Sequence, residues 1–165
     1  MSLFPVKRIN QISIVVHDLE AAMRQHCLAL GTGPWIVYTF ASPVVRDMTY
    51  RGRSQEYRVR LALTQVAELT FELVQPLTGE NIFADYLDSK GEGLHHIGIF
   101  VPSIGDAVAE ATGHGYSVLQ SGRGYGRAGD GGYAFLDTQN ELGAILELIE
   151  VPRERVAPEM IYPAP

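Results

Sequence analysis

Two stretches of the chain decide its fold because they repeat one pattern. The first is QISIVVHDLEAAM, residues 11–23, and the second is HIGIFVPSIGDAV, residues 96–108. Each begins with apolar residues at alternate positions, which predicts a β-strand, and continues at helical spacing. Asp18 and Ser103 stand where helix N-caps are expected, and helices are predicted over residues 19–30 and 104–112. The chain therefore contains two copies of a strand-helix unit.

The ends of the two copies also match. LTFELVQP, residues 69–76, resembles AILELIEVP, residues 144–152, and each places a glutamate inside a β-rich segment shortly before a proline. Between helix and final strand each copy has room for two more strands. These four strands are predicted at residues 36–40, 57–63, 116–120 and 132–137.

The order βαβββ therefore occurs twice. We predict an α+β fold of two tandem modules, residues 7–77 and 94–152, whose sheets form a shared cleft. Residues 78–93 are interpreted as a linker with a short helix, and residues 153–165 as a proline-rich C-terminal tail. The glycine-rich stretch 122–132 lacks a P-loop lysine and is expected to be a hairpin or loop at the pocket edge.

Composition excludes several classes of function. The net charge of −6 provides no basic patch for nucleic acid. The longest apolar runs are too short to span a membrane, and the first residues lack the apolar core of a signal peptide, so a cytoplasmic protein is expected. Cys27 is the single cysteine, which excludes an internal disulfide and a cysteine-based zinc cluster. A metal site would need histidine and oxygen ligands.

The repeat also pairs four potential metal ligands. Gln11 and His96 occupy equivalent positions at the start of the two modules, and Glu72 and Glu147 occupy equivalent positions in the last strands. Buried glutamates need a compensating charge, which a shared cation would supply. His95 is expected to face away from His96, because neighbouring strand residues face opposite ways.

Other residues are candidates for substrate contacts. Alternation over residues 57–63 suggests that the leucines lie under the helix and that Arg60 faces the cleft, where it could clamp an anionic group, the alternative being an exposed strand arginine. Trp35 and Tyr133 are predicted as substrate-binding aromatics, although Trp35 could equally belong to the core.

These motifs resemble the vicinal oxygen chelate superfamily, which includes glyoxalases, bleomycin resistance proteins and dioxygenases. GLHHIGIFV with a closing ELIEVP is similar to the second module of that family, and INQISIVVHDLEAA is similar to its opening strand. The resemblance implies metal ligands at Gln11, Glu72, His96 and Glu147. This set is similar to that of zinc-type glyoxalase I, so zinc is expected first, with manganese, cobalt or nickel as alternatives.

The resemblance further implies the reaction class. Glyoxalases and methylmalonyl-CoA epimerases both move a proton at a carbon beside a carbonyl, so a lyase or an isomerase is expected, with Glu147 as the base and Glu72 as second choice. Arg60 stands where the epimerases carry a carboxylate base. The expected partner is a small molecule, an anionic carboxylate or acyl-CoA among the possibilities, and the expected assembly is a homodimer. A non-catalytic binding protein of the antibiotic-resistance kind is the alternative, and a ring-cleaving dioxygenase ranks below it.

Overall fold

A computed structural model describes residues 3–164 as one curled sheet with four helices. The helices are α1 (Leu19–Leu30), α2 (Ile82–Lys90), α3 (Ile104–Gly113) and α4 (Gln139–Leu142). The strands are β1 (Gln11–Val15), β2 (Trp35–Phe40), β3 (Arg46–Tyr50), β4 (Arg53–Ser54), β5 (Arg58–Val66), β6 (Leu69–Thr78), β7 (Gly93–Phe100), β8 (Val118–Tyr125), β9 (Gly131–Leu136), β10 (Ile145–Glu150) and β11 (Met160–Tyr162).

The sheet contains two four-stranded halves. Its order is β11-β2-β5-β6-β1-β7-β10-β9-β8-β3-β4. In each half the first and last strands run parallel, β1 with β6 and β7 with β10. The halves join through antiparallel pairing of β1 with β7. The α+β fold expected from the repeat is confirmed, and the opening strands of both copies lie side by side at the centre.

Helices α1 and α3 pack on the convex side at equivalent places. The Asp18 side chain accepts a hydrogen bond from the Ala21 amide, and α1 ends at Gly31, whose φ of 66° suits glycine. Leu19 and Met23 of α1 are buried against Phe71 and Leu73 of β6, while the apolar side chains of α3 pack against Leu146 and Leu148 of β10. Both predicted helices are therefore confirmed. Glu72, between Phe71 and Leu73, and Glu147, between Leu146 and Leu148, face the opposite, concave side of the sheet.

Two elements of the sheet were not predicted. The β3–β4 hairpin leaves the first half and pairs β3 with β8 of the second. The expected C-terminal tail, whose last residue lies outside the described chain, contains β11, which pairs with the edge strand β2. The proline-rich tail expected from the sequence therefore carries a short strand, and its contacts with β2 and with Asp130 link the two halves.

No helix within residues 3–164 is long and apolar enough to cross a membrane.

Candidate active site

Four polar side chains meet at the centre of the concave face. They are Gln11 of β1, Glu72 of β6, His96 of β7 and Glu147 of β10. All four are buried, and none is more than 7% exposed. The strand register explains the convergence, because Ser13 of β1 lies beside both Glu72 and His96. Side chains of paired residues project from the same face of a sheet.

The contacts within this four-residue cluster follow the internal repeat. The Gln11 side-chain amide donates a hydrogen bond of 2.9 Å to Glu147 Oε2. His96 Nε2 lies 3.4 Å from Glu72 Oε2. Each opening-strand residue thus contacts the glutamate of the other module. His96 Nε2 also lies 3.1 Å from Glu147 Oε2, so three potential metal-ligating atoms, one nitrogen and two oxygens, lie close together.

The electrostatics of the cluster are dominated by burial. Burial lowers the pKa of His96, but the carboxylates of Glu147 and Glu72 outweigh it and raise that pKa to about 9. Burial also raises the pKa of Glu147, and the His96 charge opposes that rise. Two buried carboxyl groups face one imidazole, so complete ionisation leaves an unbalanced negative charge in a desolvated place.

The donor set fits a divalent cation. One imidazole nitrogen with carboxylate and amide oxygens suits zinc and similar ions, whose neighbouring ligands stand about 3 Å apart at bond lengths of about 2.1 Å. His96 Nε2 makes no hydrogen bond within residues 3–164 although two carboxylates lie close to it. In that same part of the chain, no three His, Cys, Asp or Glu side chains surround a common metal position, and the donor atoms here contact one another instead. A bound metal ion would replace the proton on His96 Nε2, and the side chains that now contact one another would contact the ion instead.

His95 supports His96 from behind. Its Nδ1 lies 2.9 Å from His96 Nδ1. Burial and the neighbouring His96 charge lower the pKa of His95 to about 2. The His95 ring is therefore neutral, and its Nδ1 can accept a hydrogen bond from His96 Nδ1. Both rings contact Phe83 and Phe135, because β7 has an irregular register here. The expectation that the two histidines face opposite ways is therefore wrong.

A small, mostly apolar cavity opens onto the cluster. Glu72 and Glu147 are its polar groups. The other walls are the side chains of Phe40, Val59, Leu61, Val74, Phe83, Tyr133 and Phe135. Such a cavity excludes water from the carboxylates and strengthens their electrostatic effect on a bound molecule.

Tyr133, one of the predicted substrate-binding residues, lines this cavity. Its hydroxyl lies 2.6 Å from the hydroxyl of Tyr57. Burial raises the pKa of both phenols above the ordinary value. Since the Tyr57 hydroxyl donates to the Ser121 carbonyl, the Tyr133 hydroxyl donates to Tyr57. Tyr57 and Phe83 were not identified from the sequence, since no repeat or motif marks them.

The structure corrects the position of Arg60. Its guanidinium lies 2.7 Å from Glu20 of α1, on the convex side of the sheet. The register gives the reason, because Leu63 pairs with Glu72 and therefore shares the concave face. The leucines of β5 line the cleft and Arg60 faces the helix, so the predicted clamp at Arg60 is wrong.

Trp35 also lies outside the cleft. It is fully buried beneath α1, where its ring lies 5.7 Å from that of Phe71. The sequence left open whether this residue belongs to the core or to the pocket, and the structure assigns it to the core. We therefore leave Arg60 and Trp35 out of the candidate site.

Sequence comparison assigns the chain to a family. The profile of the glyoxalase/bleomycin resistance protein/dioxygenase superfamily matches residues 10–135, so the chain belongs to that superfamily. Among curated proteins, the uncharacterized protein YqjC of Bacillus subtilis is 26% identical over 98 residues, which cover 58% of this chain and 68% of YqjC.

Solved structures share the fold. Methylmalonyl-CoA epimerase from Mycobacterium tuberculosis is similar with a TM-score of 0.64 and 21% identity, over 91% of each chain. A variant of the Streptomyces coelicolor methylmalonyl-CoA epimerase, in complex with 2-nitronate-propionyl-CoA, gives a TM-score of 0.63 and 23% identity over 87% of this chain and 96% of that one. A hypothetical protein of Bacillus halodurans gives 0.61 and 23% over 90% and 96%.

Proposed function

We propose that the protein is a divalent-metal-dependent isomerase or lyase that moves a proton at a carbon beside a carbonyl. The observation that carries the proposal is the buried cluster of Gln11, Glu72, His96 and Glu147 at the floor of an apolar cavity. Members of the superfamily commonly bind divalent metals, which supports these four residues as ligands. Zinc comes first, with manganese, cobalt and nickel as alternatives.

The metal ion would polarise the carbonyl oxygen of the substrate and stabilise the negative charge that develops there. Glu147 takes the proton from the neighbouring carbon. Its carboxyl group lines the cavity that would hold the substrate, which is the position that a general base requires. Glu72 borders the same cavity from the other module and is the second choice as base.

The surrounding residues orient the substrate and keep water away. Phe40, Val59 and Leu61 offer only apolar contacts, so they favour a carbon chain or ring next to the reacting carbonyl. Tyr133 also borders the cavity, and because its hydroxyl donates to Tyr57 it can act toward a substrate only as a hydrogen-bond acceptor. The similar epimerases bind acyl-CoA compounds in their complexes, which supports acyl thioesters among the first compounds to test.

Hydrogen exchange at the α-carbon tests this function. We expect the zinc- or manganese-loaded protein, incubated in deuterated water with a panel of acyl-CoA and 2-hydroxyacyl compounds, to introduce deuterium at the α-carbon of its substrate, as read by mass spectrometry. Glu147→Gln should lower the exchange rate by about 100-fold or more at equal metal occupancy, since the base is lost.

Glu68→Gln is the matched control, because Glu68 pairs with Arg8 on the surface and its side chain is 83% exposed. The control should exchange at the wild-type rate. A substrate that gains an oxygen atom from O₂, or one whose α-exchange persists unchanged in Glu147→Gln, would contradict the proposal and favour a dioxygenase or a different base. A ligand that binds tightly and never exchanges would favour a sequestering protein.

A further inference from the structure

The C-terminal segment runs from one half of the sheet to the other. We call residues 151–162, which follow β10 and end in β11, the strap. At one end the Arg153 guanidinium pairs with Asp130 at 2.8 Å, beside the glycine-rich β8–β9 hairpin. At the other end Glu159 accepts hydrogen bonds from the Thr39 amide and hydroxyl, and β11 pairs with β2. The strap is thus fixed to both halves of the sheet.

A second cavity lies beneath the strap. We call it the strap cavity. Phe40 lines both it and the cavity over the four-residue cluster, so the two adjoin at this side chain. The strap cavity is mostly apolar, and the residues that line it are Tyr38, Thr39, Phe40, Val44, Tyr125, Gly126, Pro152, Arg155, Val156, Ala157 and Glu159.

Arg155 is the cation of the strap cavity, and it also lines the cavity next to it. Two other arginines of this region are paired, Arg153 with Asp130 and Arg127 with Glu154, whereas Arg155 has no ion pair among the described residues. Glu159 is occupied by Thr39. The exposed guanidinium is therefore free for an incoming anion.

Electrostatic effects on Tyr125 link Arg155 to the cluster. Burial raises the pKa of the Tyr125 phenol, the charge of Glu147 adds to the rise, and the charge of Arg155 opposes it. Tyr125 therefore lies within electrostatic range of both the inner carboxylate and the strap arginine. Its ring also lies against that of Phe40, tilted by 38° and with ring centroids 4.9 Å apart.

We propose that the strap cavity holds the non-reacting half of the substrate, and that this half has an apolar body against Phe40 and Tyr125 and an anionic head, a carboxylate or a phosphate, at Arg155. The inference rests on the proposed function, since it describes the substrate of that same site. It gives the site an elongated organic anion as ligand, with the carbonyl end at the four-residue cluster and the charged end under the strap.

Binding of three small probes to the full chain tests the assignment without turnover. The probes are hydrocinnamate, phenethyl phosphate and neutral hydrocinnamamide, and binding is followed by calorimetry and by chemical-shift changes in the chelator-treated protein. We expect at least one anionic probe to bind about tenfold tighter than the amide, because a charge-assisted contact is gained. Preference between hydrocinnamate and phenethyl phosphate identifies the head group.

Matched strap variants locate the contact. Arg155→Gln should bring the anionic probes down to the affinity of the amide, while Arg8→Gln, which alters an arginine outside the strap and its cavity, should keep the wild-type preference. Ala157→Trp should weaken all three probes by filling the cavity, with the circular dichroism spectrum unchanged. Equal binding of anions and amide by the wild type, no anion binding up to about 10 mM, or an anion preference that survives in Arg155→Gln overturns the proposal.

The outcome is separable from that of the proposed function. If binding depends on Arg155 but the protein takes up no metal, the assignment of the strap cavity stands and the proposed metal-dependent reaction is contradicted. Metal uptake with α-exchange, but without Arg155-dependent binding, would remove only this inference.

Discussion

At the scale of single residues, Gly98 sets how closely the cluster side chains approach. It lies on β7 between Gln11 of β1 and Glu147 of β10. A Cβ atom at this position would stand 2.8 Å from Ile149 Cδ1, 3.0 Å from Gln11 Cβ and 3.4 Å from Glu147 Oε2. A larger residue would therefore crowd the two side chains of this hydrogen bond, which is the reason we assign Gly98 a positioning role.

Gly98→Ala is therefore expected to displace Gln11 by a few tenths of an ångström and to weaken metal binding by about tenfold, as loss of ligand orientation does elsewhere. Calorimetric titration with zinc or manganese measures it. Gly113→Ala is the control, since a Cβ there meets no atom within 4 Å and the residue closes α3. Unchanged affinity in Gly98→Ala would show that the approach of Gln11 to Glu147 is irrelevant to the site.

At the scale of the elements, β5 explains why sequence reasoning placed one residue on the wrong side. Leu61, Ala62 and Leu63 are all buried, so both faces of this strand are apolar where the pattern was read. Alternation separates the residues into two sets but does not say which set faces the cleft. That choice follows from the pairing of Leu63 with Glu72, a long-range contact.

Arg60→Gln tests the corrected orientation. Its ion pair with Glu20 is partly exposed, so the free energy of unfolding should fall by less than about 1 kcal/mol, as measured by urea denaturation. Metal affinity and binding of the anionic probes should match those of the wild type, in contrast to Arg155→Gln. A loss of probe binding in Arg60→Gln would restore the clamp that the sequence suggested.

At the scale of the whole molecule, the internal repeat predicted more than any single motif. Equivalent positions in the two copies identified Gln11, His96, Glu72 and Glu147 before their contacts were known, and the structure brings these four side chains together. The helices could also be located from the sequence, because the residues that cap a helix lie next to it in the chain.

Features that depend on distant contacts escaped sequence reasoning. The pairing of β3 with β8 and of β11 with β2 joins segments far apart in the chain, and neither segment has a periodic apolar pattern of its own. Arg155 lies in the strap that ends in β11. Its position beside the strap cavity therefore depends on the pairing of β11 with β2 and could not be predicted from the sequence. The homodimer and the cytoplasmic location stay predictions.

Metal binding at the four-residue cluster is the central claim, and calorimetric titration of the chelator-treated protein with zinc, manganese, cobalt and nickel tests it most directly. We predict about one ion per chain for at least one metal, with affinity lowered by about 100-fold or more in His96→Ala and Glu147→Ala because a ligand is lost, and unchanged in Glu68→Ala. A wild-type protein that binds none of the four ions, or variants that bind as tightly as the wild type, would contradict the account.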